Sequence, residues 1–404
     1  MTRFVDRREF LHALGVGTAS LLAPFGCGES ERYGESDIAR LAAQKTRERN
    51  RSGKGPYGVH RYRGYRGLAD LPYFDLDPNG SLRCIVEDLP PVIDFHAHLG
   101  MSLLFAPEID WLAGSERVRH FLDCDARSPG CDLDLDVYVN ANFSEEDLDS
   151  LRSETIAQAT WGSAAAATHT IPNLVREMDA MGVQNAVILP ISLGLPFGDD
   201  SSERWASAIN ASGQAGRLLP GATIHPRDPN RVESLRQQAA RGASALKLHP
   251  AVQRFYPDSR DLDPVYAECG RLGLPVFFHG GRAGIEPEYT HRFTVIRHYE
   301  DAVARHPEVD FILGHGGARD VADAIPLAQA YPNVWLGIHG QGISVLREMI
   351  DRVGSGRLLF GSDWPFYHLG ASLAKVLIVT EGRPDERRAI LRSNAESLLQ
   401  AQPG

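Results

Sequence analysis

The chain has 404 residues, of which 43% are hydrophobic, and a formal net charge of -10. That length buries one large core and suits a barrel with insertions better than two small domains. The acidic balance argues against a duplex nucleic acid as partner, because phosphate binding needs clustered Lys and Arg, and no apolar run approaches the ~18 residues of a membrane span.

Residues 1–27 read as a targeting segment. Arg7-Arg8-Glu9-Phe10-Leu11 precedes an apolar stretch from Ala13 to Phe25, which resembles a bacterial twin-arginine signal and is set aside from fold reasoning. An amphipathic helix of the fold is the competing reading. Gly26-Cys27 is similar to the end of a lipoprotein signal, where Cys27 would carry lipid and be the one attachment to a membrane. The resemblance implies export by the twin-arginine route, which carries folded cargo, to the periplasm or cell envelope. Of the remaining cysteines, Cys124 and Cys131 are close enough to pair across a short loop in an oxidising compartment, although sequence does not fix connectivity.

Residues 28–90 are polar and rich in Arg, Gly and Tyr, as in Arg61-Tyr62-Arg63-Gly64-Tyr65-Arg66, without sustained apolar periodicity. They read as an extension that links to the domain and packs on it. The Arg/Tyr run is a solvated linker or, alternatively, a membrane-surface or nucleic-acid patch.

From residue 92 the texture changes to short apolar runs ending in Gly, Pro or His, separated by helical periodicity. That is the alternation of a parallel α/β fold. Eight strands are predicted: Val92 to Leu99, Asn185 to Ile191, Leu218 to His225, Ala245 to His249, Pro275 to His279, Phe311 to His315, Val334 to His339 and Leu358 to Asp363. Eight is the number of a (β/α)8 TIM barrel over residues 91–404. Ile171, Leu174, Val175 and Met178 mark the apolar face of one intervening helix, with Gly182 placed to end it. The first unit is far longer than the others, so an insertion of about residues 101–168 follows strand one, on the face where barrel active sites sit. Its acidic stretch Asp132-Leu133-Asp134-Leu135-Asp136 lacks the Gly and terminal Glu of an EF-hand loop and reads as solvated.

Histidines concentrate at strand ends. His96, His98, His225, His249, His279, His315 and His339 lie at or beside the C-terminal ends of predicted strands, and Asp363 occupies that place on the eighth. In a barrel these ends converge on one mouth. His96 and His98, at i and i+2, point to the same side of strand one and can grip one divalent ion.

Ile93-Asp94-Phe95-His96-Ala97-His98, Pro275-Val276-Phe277-Phe278-His279, Leu313-Gly314-His315-Gly316-Gly317 and Phe360-Gly361-Ser362-Asp363-Trp364-Pro365 together resemble the amidohydrolase superfamily. More narrowly, they look like its amidohydrolase-related branch, which includes aminocarboxymuconate-semialdehyde decarboxylase. The resemblance runs over about residues 92 to 400. It implies His96, His98, His279 and Asp363 as metal ligands and His315 as a catalytic histidine, with Asp363 also accepting a proton. Three imidazoles and a carboxylate suit zinc with a position left for water, whose pKa the ion lowers from about 15.7 towards about 7.

Two readings stand for Lys247: an anion-binding residue, or a carbamylated lysine bridging a second metal. His249, Arg282 and Trp364 are candidate substrate contacts. The reaction implied is hydrolysis of an amide, ester or lactone-like bond of a small molecule, with non-oxidative decarboxylation as the alternative. Decarboxylases of the branch commonly carry Pro and an aromatic after the strand-five His, where this chain has Gly280-Gly281-Arg282. A non-catalytic exported binding protein is the third reading, and a homo-oligomer is compatible with all three.

Overall fold

The computed structural model describes residues 32–195 and 198–400, so the twin-arginine and Cys27 readings lie outside the described residues. Contacts divide the chain into residues 1–42 and residues 43–404. The helix Glu35–Arg51 opens the described part, with Glu35 and Asp37 in its first turn and Arg49 and Arg51 in its last, each sign complementing the helix dipole there.

The larger unit is a TIM barrel. Its strands are Val92–Ala97, Val183–Ile188, Leu218–Pro220 continued by Ala222–Thr223, Leu246–Leu248, Val276–Phe278, Phe311–Leu313, Val334–Gly337 and Leu358–Leu359. Neighbours pair parallel in chain order. The eighth strand returns to the first: the Phe95 amide donates to the Phe360 carbonyl at 2.9 Å, Asp363 to His96 at 2.7 Å and His98 to Trp364 at 2.7 Å. Closure removes the sheet edges and fixes the strand-one and strand-eight motifs of the sequence beside each other.

The strands are buried over most of their length, which is why they read as short apolar runs rather than as alternation. Ile93, Phe95, Val187, Phe277, Ile312 and Leu359 form one apolar cluster of the strands, with Phe95 and Phe277 stacked at 6.4 Å. A larger cluster packs the other strand faces against the helices. The helix Ile171–Met181 ends at Gly182, whose φ of 71° is the left-handed cap that favours glycine. The second strand begins at once after it, at Val183, two residues earlier than predicted.

Residues 57–90 pack on the domain, as expected of the extension: Tyr65, Leu68, Leu71, Phe74 and Leu82 are buried, and Phe74–Leu76 pairs with Leu82–Cys84 as a hairpin. One part of the sequence reading changes: the Arg/Tyr run and the acidic stretch are partners. Arg61–Arg63 pairs antiparallel with Asp132–Asp134, placing Arg61 opposite Asp134 at 3.0 Å and Arg63 opposite Asp132 at 3.2 Å. Opposite charges directly across two strands stabilise the pairing, and neither run is left as a free patch.

The rest of the insertion carries a Cys124–Cys131 disulfide and the helix Glu145–Thr160. Ser144 caps that helix: its hydroxyl accepts from the Asp147 amide while Asp147 accepts from the Ser144 amide. Among the described residues, no helix is long and apolar enough to cross a membrane.

Candidate metal centre and active site

The strand ends deliver the predicted side chains to one place. Gly361 allows strand eight to lie against strand one, because a Cβ there would sit 2.7 Å from the His96 Cβ. A register irregularity between Asp94 and Ala97 re-aims the first strand where its histidines begin. His315 and Asp363 hold φ of 57° and 59°, a region costly for residues with a Cβ and found where function fixes the backbone. Asp94 supports Asp363 from behind, accepting from Ser362 Oγ at 2.5 Å and from the Ser362 and His96 amides at 3.0 Å each. Burial pushes its carboxyl up to about 7 against those hydrogen bonds.

Asp363 is the hub. Its Oδ1 lies 3.2 Å from His96 Nε2 and 3.1 Å from His98 Nε2, and its Oδ2 lies 3.5 Å from His339 Nε2. His315 Nε2 is 3.1 Å from His279 Nδ1, and Lys247 Nζ is 3.3 Å from His96 Nε2. One ligand atom each from His96, His315 and Asp363 lie within 4.8 Å of one another.

The donor chemistry fits a cation. His98 Nδ1 lies 2.6 Å from the Leu189 carbonyl, which only an N–H can satisfy, so in the neutral ring Nε2 is a lone pair facing the Asp363 carboxylate. His279 Nε2 lies 2.5 Å from Glu286, leaving Nδ1 as a lone pair toward His315. His96 Nδ1, His315 Nδ1 and His339 Nε2 are buried without a hydrogen-bond partner. Buried imidazole nitrogens left without a partner beside a carboxylate are donors that a divalent metal satisfies.

Burial favours the neutral imidazoles that ligation needs. It holds His96, His249, His315 and His339 well below the ordinary histidine range, helped by neighbouring cationic groups. Burial also draws Lys247 down to about 7. For Asp363 burial acts upward, but its contact with His98 and the neighbouring Lys247 outweigh it and keep the carboxyl below its usual range.

A cavity of about 500 Å³ reaches His98, His249 and Glu286. Leu151, Thr155 and Ile156 of the inserted helix form one wall, Ile191 and Leu193 after strand two another, and Pro365 and Phe366 after strand eight a third. His249 stacks on His279 with centroids 4.0 Å apart and rings 8° from parallel, linking cavity to centre.

The amidohydrolase family pattern matches residues 93–400. The chain belongs to the amidohydrolase family. An uncharacterised TIM-barrel protein from Bordetella bronchiseptica is 21% identical, with 77% of this chain and 98% of that one covered at a TM-score of 0.54. A 2,6-dihydroxybenzoate decarboxylase from Rhizobium is 15% identical, with 76% and 99% covered at a TM-score of 0.50. These likenesses concern the fold. Protein fluG of Emericella nidulans is 36% identical over 78 residues, 17% of this chain and 9% of the length of that relative.

In this amidohydrolase the barrel mouth gathers His96, His98, His249, His279, His315, Lys247 and Asp363. Two candidate substrate contacts stand elsewhere. Arg282 is buried against Asp320, with Nε 2.9 Å from Oδ2 and Nη2 2.5 Å from Oδ1. Trp364 is fully buried and donates from Nε1 to Glu177 at 3.2 Å. Neither lines the cavity, because each side chain spends its polar atoms inside the protein. His225 is half-buried and accepts from the Arg227 amide, a local structural role. His339 joins the centre through Asp363, and its Nδ1 meets Ser372 Oγ at 3.1 Å.

Glu286, which contacts His279, is the residue of the centre that sequence reasoning missed. It is buried in the loop after strand five, where it also accepts from the Ala283 and Gly284 amides at 3.1 and 2.8 Å. Burial raises its carboxyl, but hydrogen bonding to His279 outweighs this and holds it well below the carboxylate range. No motif marks it; a lone Glu seven positions beyond a strand-end His carries no signal until the loop folds back.

Proposed function

We propose that this amidohydrolase binds a divalent metal ion, zinc by the character of its donors, and hydrolyses an amide, ester or lactone-like bond of a small molecule. The observation that carries the reading is the buried cluster of His96, His315 and Asp363, with ligand atoms within 4.8 Å of one another and His98 on the same carboxylate, beside a cavity lined on one side by the inserted helix. His96, His98, His279 and Asp363 would hold the ion, with His315 next to them. A bound divalent ion supplies Lewis acidity that draws the pKa of water from about 15.7 towards about 7.

The chain's own groups do the rest. Asp363, kept ionised by its histidine neighbours, accepts a proton from the attacking water at Oδ2 and is well placed to pass it to the leaving group. His315 orients the water or polarises the scissile bond. Glu286 fixes the His279 tautomer, and the inserted helix lines one side of the cavity beside the site.

The test is metal analysis of the purified protein followed by assays on esters, lactones, amides and carboxylated aromatics. Release of an acid that depends on the metal is expected. Release of carbon dioxide instead assigns the centre to decarboxylation, two metal ions per chain favour a carbamylated Lys247 bridge, and a metal-free inactive protein returns the chain to a binding role. We further propose export to the periplasm or cell envelope, with the Cys124–Cys131 disulfide as its support, since such bonds persist in oxidising compartments.

A further inference from the structure

We infer that the cavity selects uncharged, largely apolar substrates, an aryl or alkyl ester, lactone or amide without a carboxylate; the choice of bond rests on the hydrolytic reading above. Three observations support the charge and polarity assignment.

The wall is apolar on several sides, through Phe121, Leu151, Ile156, Leu193, Ile285 and Phe366. At about 500 Å³ it falls in the range that encloses most of a small ligand, roughly 300–1,000 Å³. A charged group held there would lose its hydration to side chains that cannot replace it.

Of the two arginines that line the cavity, Arg152 is engaged with protein groups. Arg152 directs Nε to the Ile285 carbonyl at 3.1 Å, Nη2 to the Gly284 carbonyl at 3.2 Å and Nη1 to Asp149 at 2.5 Å. Arg254 is exposed at the rim, donating to the Tyr289 hydroxyl at 3.3 Å and lying over that ring. The carboxylate of Glu286 borders the same space and repels an anionic substrate.

The mouth is apolar as well. Ile156 is 57% exposed, Val252 44% and Tyr289 56%, and all three line the cavity. Large apolar side chains left in water around an opening lower the cost of admitting a ligand of the same character.

The experiment uses the metal-loaded protein and two separate readouts. N-phenyl-1-naphthylamine, a neutral apolar fluorophore, is titrated into wild type and Ile156→Asp, and a matched series of neutral and carboxylated esters is assayed on both. The fluorophore should bind wild type and lose roughly tenfold or more in affinity in the variant, consistent with removing an aliphatic contact made on binding and adding charge. Neutral esters should exceed their carboxylated counterparts in kcat/KM by roughly tenfold or more. Binding that Ile156→Asp abolishes, with no ester hydrolysed, upholds the selectivity while the hydrolytic reading falls. Absent fluorophore binding, binding that Ile156→Asp leaves unchanged, or preferential turnover of carboxylated compounds overturns the inference.

Discussion

A carboxylate on the outer nitrogen of a histidine decides which nitrogen presents its lone pair, and Glu286 does this to His279. Glu286→Gln keeps the shape but can present an N–H in place of the acceptor, so metal affinity should fall about 10–100-fold. Chelator competition measures this without any assay of turnover, and unchanged affinity would reduce Glu286 to a tie for the Ala283–Gly284 loop. His96→Ala and His98→Ala each remove a nitrogen within 3.2 Å of Asp363, so bound metal and activity should both be lost; full occupancy in the double variant would refute the ligand assignment. His315→Ala is expected to retain metal, because His96, His98, His279 and Asp363 remain, while turnover drops by about 10²–10⁴. Metal leaving with His315 would instead place it among the ligands, as its proximity to His96 and Asp363 allows.

At the scale of elements, the inserted helix Glu145–Thr160 is the part whose stability can be altered without touching the centre. Ser144→Ala removes its cap, at a cost of about 1 kcal/mol, and amide exchange across residues 145–160 should quicken several-fold while metal content stays constant. A rise in KM with little change in kcat would accompany it, because the helix walls the cavity and supplies no proposed ligand; unchanged KM would show that the helix is not part of substrate binding. The barrel elements were legible because a strand buried on both faces is a short apolar run, and because the His and Asp ending those runs share one mouth. That the extension packs on the domain was expected, but which of its residues do so was not legible, for a physical reason. Tyr65, Leu68, Leu71 and Phe74 recur every third residue along a 3-10 turn and its exit, a period neither helical nor alternating. Arg61, Arg63, Asp132 and Asp134 resembled two solvated runs because their pairing spans some seventy positions, and no local pattern announces a cross-strand partner. Trp364 follows Asp363 directly and Arg282 lies three residues past His279, yet that short step along the chain turns a side chain from the mouth into the protein.

At the scale of the whole molecule, the N-terminal twin-arginine reading predicts that Arg7→Lys with Arg8→Lys leaves the protein in the cytoplasm, which fractionation detects; continued export would reject it. Within the fold, stability should carry the mark of one buried cation. Lys375 lies on the helix Leu369–Val379, whose residues are all buried, and burial draws its pKa from 10.5 to about 8 despite Asp134, Glu48 and Asp136 nearby. Below about pH 8 both folded and unfolded chains carry the proton, and the full cost of burying the ammonium is present. Between about 8 and 10.5 the unfolded chain binds more protons than the folded one, so this residue's contribution to stability rises with pH; above 10.5 neither state is charged and the cost is gone. The shift corresponds to a cost on the order of 3 kcal/mol. Lys375→Met replaces the charge with a flexible apolar side chain, and the neighbouring carboxylates keep their own partners, Glu48 with Arg319, Asp134 with Arg61 and Asp136 with Ser344. The variant should therefore melt higher than wild type at pH 7, and its advantage should shrink as pH climbs from about 8 to 10.5. An advantage that stays constant across that range would show that Lys375 keeps its proton in the folded state, and a lower melting temperature at pH 7 would show that its charge stabilises the acidic cluster more than burial penalises it.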